Sequence, residues 1–201
     1  MKKRTARILS ITLAMIISML VSSLGSFAED CSAIRGKVLR LHVLANSDSA
    51  EDQALKLKVR DRILSESGQL FSNSPDKQLA VEAAREHTEL LENQAVSEIR
   101  QNGRDYPAKA EVVNMYFTTR EYEGFMLPAG YYDALRITIG AGKGKNWWCM
   151  IFPPLCVSAA TDKKVLSDVL TVKEADIVNG KKYKMKFKAV EIIEKIKSIL
   201  K

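Results

Sequence analysis

The stretch Pro128–Cys156, PAGYYDALRITIGAGKGKNWWCMIFPPLC, sets the reading of everything around it. After a Pro-Ala-Gly turn, Leu135, Ile137 and Ile139 alternate with Ala134, Arg136 and Thr138, the period of two of a half-buried β-strand. Gly140, Gly142 and Gly144 then fall at every second position, where backbone turns without a Cβ penalty. Trp147-Trp148-Cys149, an apolar run, Pro153-Pro154 and Cys156 close the stretch. It holds both tryptophans, two of the three cysteines and three of the five prolines. That concentration predicts a stapled structural corner, a recognition surface, or both.

The N-terminus reads as an export signal. Lys2, Lys3, Arg4 and Arg7 precede an apolar run from Ile8 to Leu24, and Ser26-Phe27-Ala28 fits a small-x-small cleavage site. Residues 1–28 are therefore expected to be a signal peptide, with an uncleaved membrane anchor as the rival reading, since about 20 apolar residues span a bilayer. Glu29-Asp30 ahead of Cys31 argues against a lipoprotein signal. Residues 29–201 form one domain of ordinary size. Without the leader the net charge falls from +7 to +3, so the basic character owes much to the signal and gives no reason to expect nucleic acid as a partner.

In an exported chain, three cysteines predict one bridge and one remainder. Cys149 and Cys156 are the natural pair, seven residues apart with Pro153-Pro154 between them to turn the chain. Reduced, buried cysteines are the alternative.

Upstream, Val38–Ala45 reads as a mostly buried strand that breaks at Asn46-Ser47-Asp48-Ser49, a turn- and cap-rich cluster. Ser49 with Asp52, or Asp48 with Glu51, has capping-box spacing, and Leu55, Val59 and Ile63 form one face of the following helix, to about Leu70. His42, Asp48, Glu51 and Asp52 fit no zinc or calcium spacing, so no metal is expected. From Pro75-Asp76, Ala80, Ala84, Thr88, Leu91, Ala95 and Ile99 share a stripe that predicts a long helix ending at Asn102-Gly103. Lys109–Arg120 alternates again and predicts an antiparallel hairpin with the 128–140 strand. Val157–Ala160 reads as the end of a strand and Asp162–Leu170 as helical. The basic, amphipathic C-terminal helix is expected to pack on the sheet; contact with a membrane surface is the lesser reading. The sum is a single α+β domain, mixed α/β, with a small sheet and packed helices behind the signal peptide.

The glycine loop invites a phosphate-binding reading, but the spacing fails. Gly140 and Gly144 are one residue too close, Asn146 stands where Ser or Thr is required, and no helix start follows. No nucleotide cofactor is expected. A nucleophilic cysteine would need His42 or His87 in reach and a third group to orient it, and none is identifiable.

Two blocks carry a resemblance. His42-Val-Leu-Ala-Asn46-Ser47-Asp48-Ser49-x-Glu51-Asp52-Gln53 with Leu57-Lys58-Val59-Arg60-Asp61 is the first. Pro128-x-Gly130-x-Tyr132, Gly140-x-Gly142-x-Gly144-x-Asn146-Trp147-Trp148-Cys149 and Phe152-Pro153-Pro154-Leu155-Cys156 make the second. Together, in this order and behind a signal sequence, they resemble the stage II sporulation protein R family. The resemblance implies a protein made in the forespore and exported into the space between forespore and mother-cell membranes. There it would activate a membrane-embedded aspartic protease that processes pro-sigma factor E. It implies a ligand with no catalytic residues, and the chain has no Asp-Thr/Ser-Gly triplet of its own. Aromatic residues flanked by positive charge are good anchors, so Tyr131, Tyr132, Lys143, Lys145, Asn146, Trp147 and Trp148 are the expected contact residues, held by a Cys149–Cys156 bridge. On this reading the glycines let a partner approach the backbone, and at least one tryptophan is exposed. The competing function is an exported thiol-dependent hydrolase at the cell envelope.

Overall fold

The computed structural model describes residues 2–71, 74–122, 125–153 and 169–199. Its centre is a four-stranded mixed sheet built from β1 (Leu39–Leu44), β2 (Ala108–Phe117), β5 (Gly130–Ile139) and β6 (Asn146–Phe152), in the order β2-β5-β1-β6. β2 and β5 form the expected antiparallel hairpin, with Ala108 opposite Ile139 and Phe117 opposite Gly130. Between them sits a small two-stranded flap, β3 (Arg120–Tyr122) and β4 (Phe125–Leu127). β1 enters beside β5 in parallel, Arg40 opposite Ala134 and Leu44 opposite Thr138, and pairs antiparallel with β6 on its other edge.

Alternation along β1 gives the sheet two apolar faces. Leu39, Leu41 and Val43 point to one, against Leu55, Val59 and Ile63 of α2 (Ala50–Phe71) and the apolar stripe of α3 (Lys77–Glu86) and α4 (Thr88–Gln101). Arg40 and His42 point to the other. Val38, Tyr132, Ala134 and Met150 there meet the end of α1 (Lys2–Gly36), α5 (Val172–Asn179) and α6 (Lys184–Ile199). Helices thus cover both faces of one sheet, and the chain is a single α+β domain behind an apolar N-terminal helix.

One local expectation changes. The long helix after Pro75 is two helices, broken at His87, whose backbone sits at φ −104, ψ 17. There the His87 ring bonds the Ala83 carbonyl at 2.9 Å and the Thr88 hydroxyl donates to Arg85 O at 2.5 Å. Side chains that satisfy carbonyls at the break let the chain turn slightly, so that Ala80 and Ala84 before it and Leu91, Ala95 and Ile99 after it all stay buried. α2 runs to Phe71, as the expected end near Leu70 requires. α1 is one helix through the expected cleavage site to Gly36. The expected strand 157–160 and most of the helix 162–170 lie outside the described residues.

The C-terminal helix packs as expected on the side of Phe187 and Val190, leaving Met185, Ile192 and Ile196 exposed. At the end of α4, Gly103 takes φ 71 and donates to Arg100 O at 2.9 Å, the glycine helix stop that Asn102-Gly103 announces.

Candidate functional site

The two sequence blocks meet in space. Residues 140–145 fold back onto the Asn46–Ser49 corner, and the join is made by backbone donors on one side and a few acceptors on the other. Asn46 Oδ1 accepts from the Ala141 N–H at 2.9 Å, Asn46 O from Lys143 N–H at 3.2 Å, and Ala45 O from Gly144 N–H at 2.9 Å. Asp48 Oδ1 accepts from the Lys145 N–H at 2.7 Å, and Lys56 Nζ donates to Lys145 O at 3.0 Å. A glycine-rich turn has many backbone N–H groups needing partners, and here the corner supplies them.

The corner is itself braced by Asp52. Its Oδ2 accepts from Asn46 Nδ2 at 2.8 Å and Ser47 Oγ at 2.6 Å. The Ser47 hydroxyl is the main reason that the Asp52 carboxyl sits below its usual pKa, with Asn46 assisting against the opposing effect of burial. Ser49 caps α2 through the Asp52 N–H at 3.1 Å, but Asp52 returns no bond to Ser49, so the expected capping box is only half formed. Its second half goes into fixing the loop.

The glycines serve this join. Gly140 has φ +54 and Gly142 φ +61, the left-handed region. A Cβ on Gly144 would stand 2.1 Å from the Ser47 carbonyl oxygen, and one on Gly140 2.3 Å from Asn46 Oδ1. The close approach they permit is to the chain's own corner, which corrects the expectation that they make room for a partner.

From the clasp, β6 sends its two tryptophans to opposite faces of the sheet. Trp147 lies against the α2 side, with the Arg60 guanidinium 4.4 Å from its ring centroid and its Nε1 buried without a hydrogen-bond partner. Trp148 stacks on His42 at 3.9 Å between centroids and 3° between planes, and meets the edge of Phe117 at 4.7 Å. Neither ring is exposed; both are half-buried. His42 is buried with neither ring nitrogen hydrogen-bonded. Burial pushes its pKa down to about 4, with Arg136 and Arg40 adding to the effect against Asn146.

Beyond His42 lies Arg40, 0% exposed. Its guanidinium sits 4.1 Å from the Phe117 ring centroid and 5.1 Å from that of Tyr132, and Nη2 donates to the Tyr122 hydroxyl. Nε and Nη1 have no partner, and among the described residues no carboxylate pairs with it. Burial lowers its pKa. Three aromatic rings are what offset the cost of this buried cation.

Of the expected contact residues, Lys143, Lys145 and Asn146 are exposed on the clasp and Tyr131 is 39% exposed on β5. Tyr132 is 1% exposed, with its hydroxyl donating to Pro128 O at 2.7 Å, and so belongs to the core. Of the residues that build the corner, Asn46, Asp48 and Asp52 are legible as a turn and helix cap within the first block, whereas Lys56 gives no signal. Arg40 gave no signal at all, because an arginine alternating with leucines reads as an outward-facing residue. Cys31 is a free, buried thiol. Cys156 lies outside the described residues. No group of three or more His, Cys, Asp and Glu that could hold a metal occurs among the described residues.

The family described as stage II sporulation protein R matches residues 35–162, from the last turn of α1 to beyond β6. The chain belongs to this family. Both halves of the clasp, and the strands that carry them, lie inside the matched stretch. A curated relative, stage II sporulation protein R of Bacillus subtilis (strain 168), is 34% identical over 123 residues, which is 61% of this chain and 55% of the relative. The chain thus aligns with little more than half of that protein's length. No solved structure matches.

Proposed function

We propose that this chain is an exported signalling ligand of endospore formation. It acts in the space between forespore and mother-cell membranes, where it activates a membrane-embedded aspartic protease that processes pro-sigma factor E. The observation that carries the reading is the clasp: the two blocks that resemble the family form one hydrogen-bonded corner, with the side chains of Lys143 and Lys145 exposed to a partner and Asn146 exposed beside His42. Backbone fixed in this way presents those side chains at little ordering cost on binding. A ligand of this kind works by contacting the protease's active state better than its inactive state. On this reading the chain is no enzyme and uses no cofactor.

The geometry gives the thiol hydrolase no support. Cys149 is opposite Leu41 on the α2 side of the sheet, whereas His42 lies on the other side against Trp148. The His87 ring is engaged with the Ala83 carbonyl. The Cys149–Cys156 bridge is part of the proposal: with Cys31 free and buried, these are the two cysteines that remain. It would close the chain just after the tryptophan pair.

The test is reconstitution. Full-length chain, added to vesicles holding the protease and its pro-sigma substrate, should produce processed sigma factor. Lys143→Glu with Lys145→Glu should lower processing by about tenfold or more, which corresponds to roughly 1.4 kcal/mol of binding, at unchanged melting temperature. No processing by folded chain overturns the function; processing indifferent to the charge reversal overturns the assignment of the surface.

A further inference from the structure

The N-terminal helix is compatible with a signal peptide, yet its last turns are built into the domain. Phe27, Cys31 and Ile34, spaced along one face of α1, are all buried in the core on the second face of the sheet. Phe27 stacks on Tyr183 at 5.6 Å and meets the edge of Phe187 at 5.3 Å. Polar contacts continue the join on both sides of the expected cleavage site: Lys186 Nζ donates to Ser23 Oγ at 3.1 Å, and Lys173 pairs with Asp30 at 2.7 Å. Cleavage after Ala28 would remove Phe27 and Ser23 from these contacts and leave Tyr183 and Phe187 facing water. The site itself is helical, and its central side chain is buried. Proteolysis favours poorly bonded backbone, and here the backbone is hydrogen-bonded helix with Phe27 held in the core.

The rest of α1 has no cover. Ile8, Leu9, Ile11, Leu13, Ile16 and Ile17 are each more than half exposed, and the Arg7–Gly36 helix has a mean hydropathy of 2.1 over its best window, none of it buried. Length points to what covers it. No charged residue occurs between Arg7 and Glu29. These 21 residues rise about 31 Å at 1.5 Å each, close to the roughly 30 Å of a bilayer's hydrocarbon core. The exposed stretch ahead of Ser23, Ile8–Ser22, reaches only about 22 Å. The shortfall of about 8 Å presses the domain's first contacts, at Ser23 to Ala28, against the membrane, where local thinning of the bilayer takes up the mismatch. Lys186, bonded to Ser23, reaches the headgroups along its aliphatic stem. Lys2, Lys3, Arg4 and Arg7 at the far end favour the cytoplasmic side, with the domain outside.

We propose that α1 is retained: it anchors the chain in a lipid bilayer, and its last turns form part of the folded domain, which rests against the outer membrane surface. This goes beyond the signalling reading and stands or falls separately from it. The full chain with its natural N-terminus is expressed in a bacterial host, membranes are washed with alkaline carbonate, and the chain is measured by intact mass. The expected result is a pelleted chain that still carries residues 1–28. In the detergent-purified full chain, Phe27→Ala should lower the melting temperature by about 10 °C, whereas Ile17→Ala, in the bare segment, should not shift it. A soluble product of residues 29–201 overturns the proposal, and so does a Phe27→Ala chain as stable as its parent.

Discussion

His42 shows how a single side chain can be read two ways until its neighbours are known. In the sequence it is a histidine near three acids; in the fold it is a flat ring under Trp148 with two unpartnered nitrogens. A buried ring held neutral makes a prediction about pH. Its folded pKa, about 4, lies below the ordinary value of 6.5, so the unfolded chain binds the proton first as pH falls. The stability tied to neutral His42 is complete above pH 6.5 and is lost between about 6.5 and 4, up to roughly 3 kcal/mol. His42→Phe keeps a ring against Trp148 and has no nitrogen to satisfy. It should match the parent at pH 7.5 and flatten the loss between pH 6.5 and 4 in denaturant titrations; an unchanged pH profile would show that another group titrates there. Trp148→Ala removes a half-buried ring from between His42 and Phe117 and should cost about 3 kcal/mol. A loss below about 1 kcal/mol, the usual scale of surface changes, would mean that the ring is a docking anchor and little more.

Among the elements, those with a strong local period were legible and those that depend on a distant partner were not. Leu135, Ile137 and Ile139 mark β5, and Leu55, Val59 and Ile63 mark the buried side of α2, because each alternation lies within its own segment. The break at His87 left no trace in the stripe, since the residues on both sides keep helical spacing and only a small turn separates them. The glycine loop is legible as a turn at positive φ, which Gly140 and Gly142 adopt, but not as one half of a join. Its spacing records backbone positions without room for a side chain, but which atoms take up the room is set by residues about a hundred positions away. Gly144→Ala tests that reading. Its methyl would collide with the Ser47 carbonyl, a backbone atom that cannot swing aside. We expect a stability loss of about 1–3 kcal/mol, in line with forced overpacking, together with faster hydrogen exchange at the Lys143 and Lys145 amides. Protection of those amides equal to the parent's would refute the clasp.

At the scale of the whole molecule, the sheet needs both of its faces covered, and the covers come from the ends of the chain. β1 runs parallel to β5 and shares its other edge with β6, so its Arg40 and His42 side is as deeply enclosed as its leucine side. The sequence of β1 predicts a mostly buried strand, but only the long-range packing of α1, α5 and α6 shows what encloses its second side; this is why the pairing order and the surroundings of the buried arginine were out of reach of the sequence. The family match, residues 35–162, contains all four strands of the sheet and the helices of the first face. It leaves out Phe27, Cys31 and Ile34 of α1, Ile177 and Val178 of α5, and Phe187 and Val190 of α6, all buried on the second face. Bare apolar surface of that extent does not persist in a monomer, and an uncovered Arg40 would lose the dry aromatic surroundings that now hold it. A fragment of residues 35–162 should therefore bind a hydrophobic dye, keep the strands of the sheet and the helices α2, α3 and α4, and melt without a cooperative transition. Adding residues 163–199 and 24–34 should restore cooperativity. A cooperative transition of the 35–162 fragment within a few degrees of the full chain would instead make the first face a self-sufficient core, with the terminal helices as accessories to it.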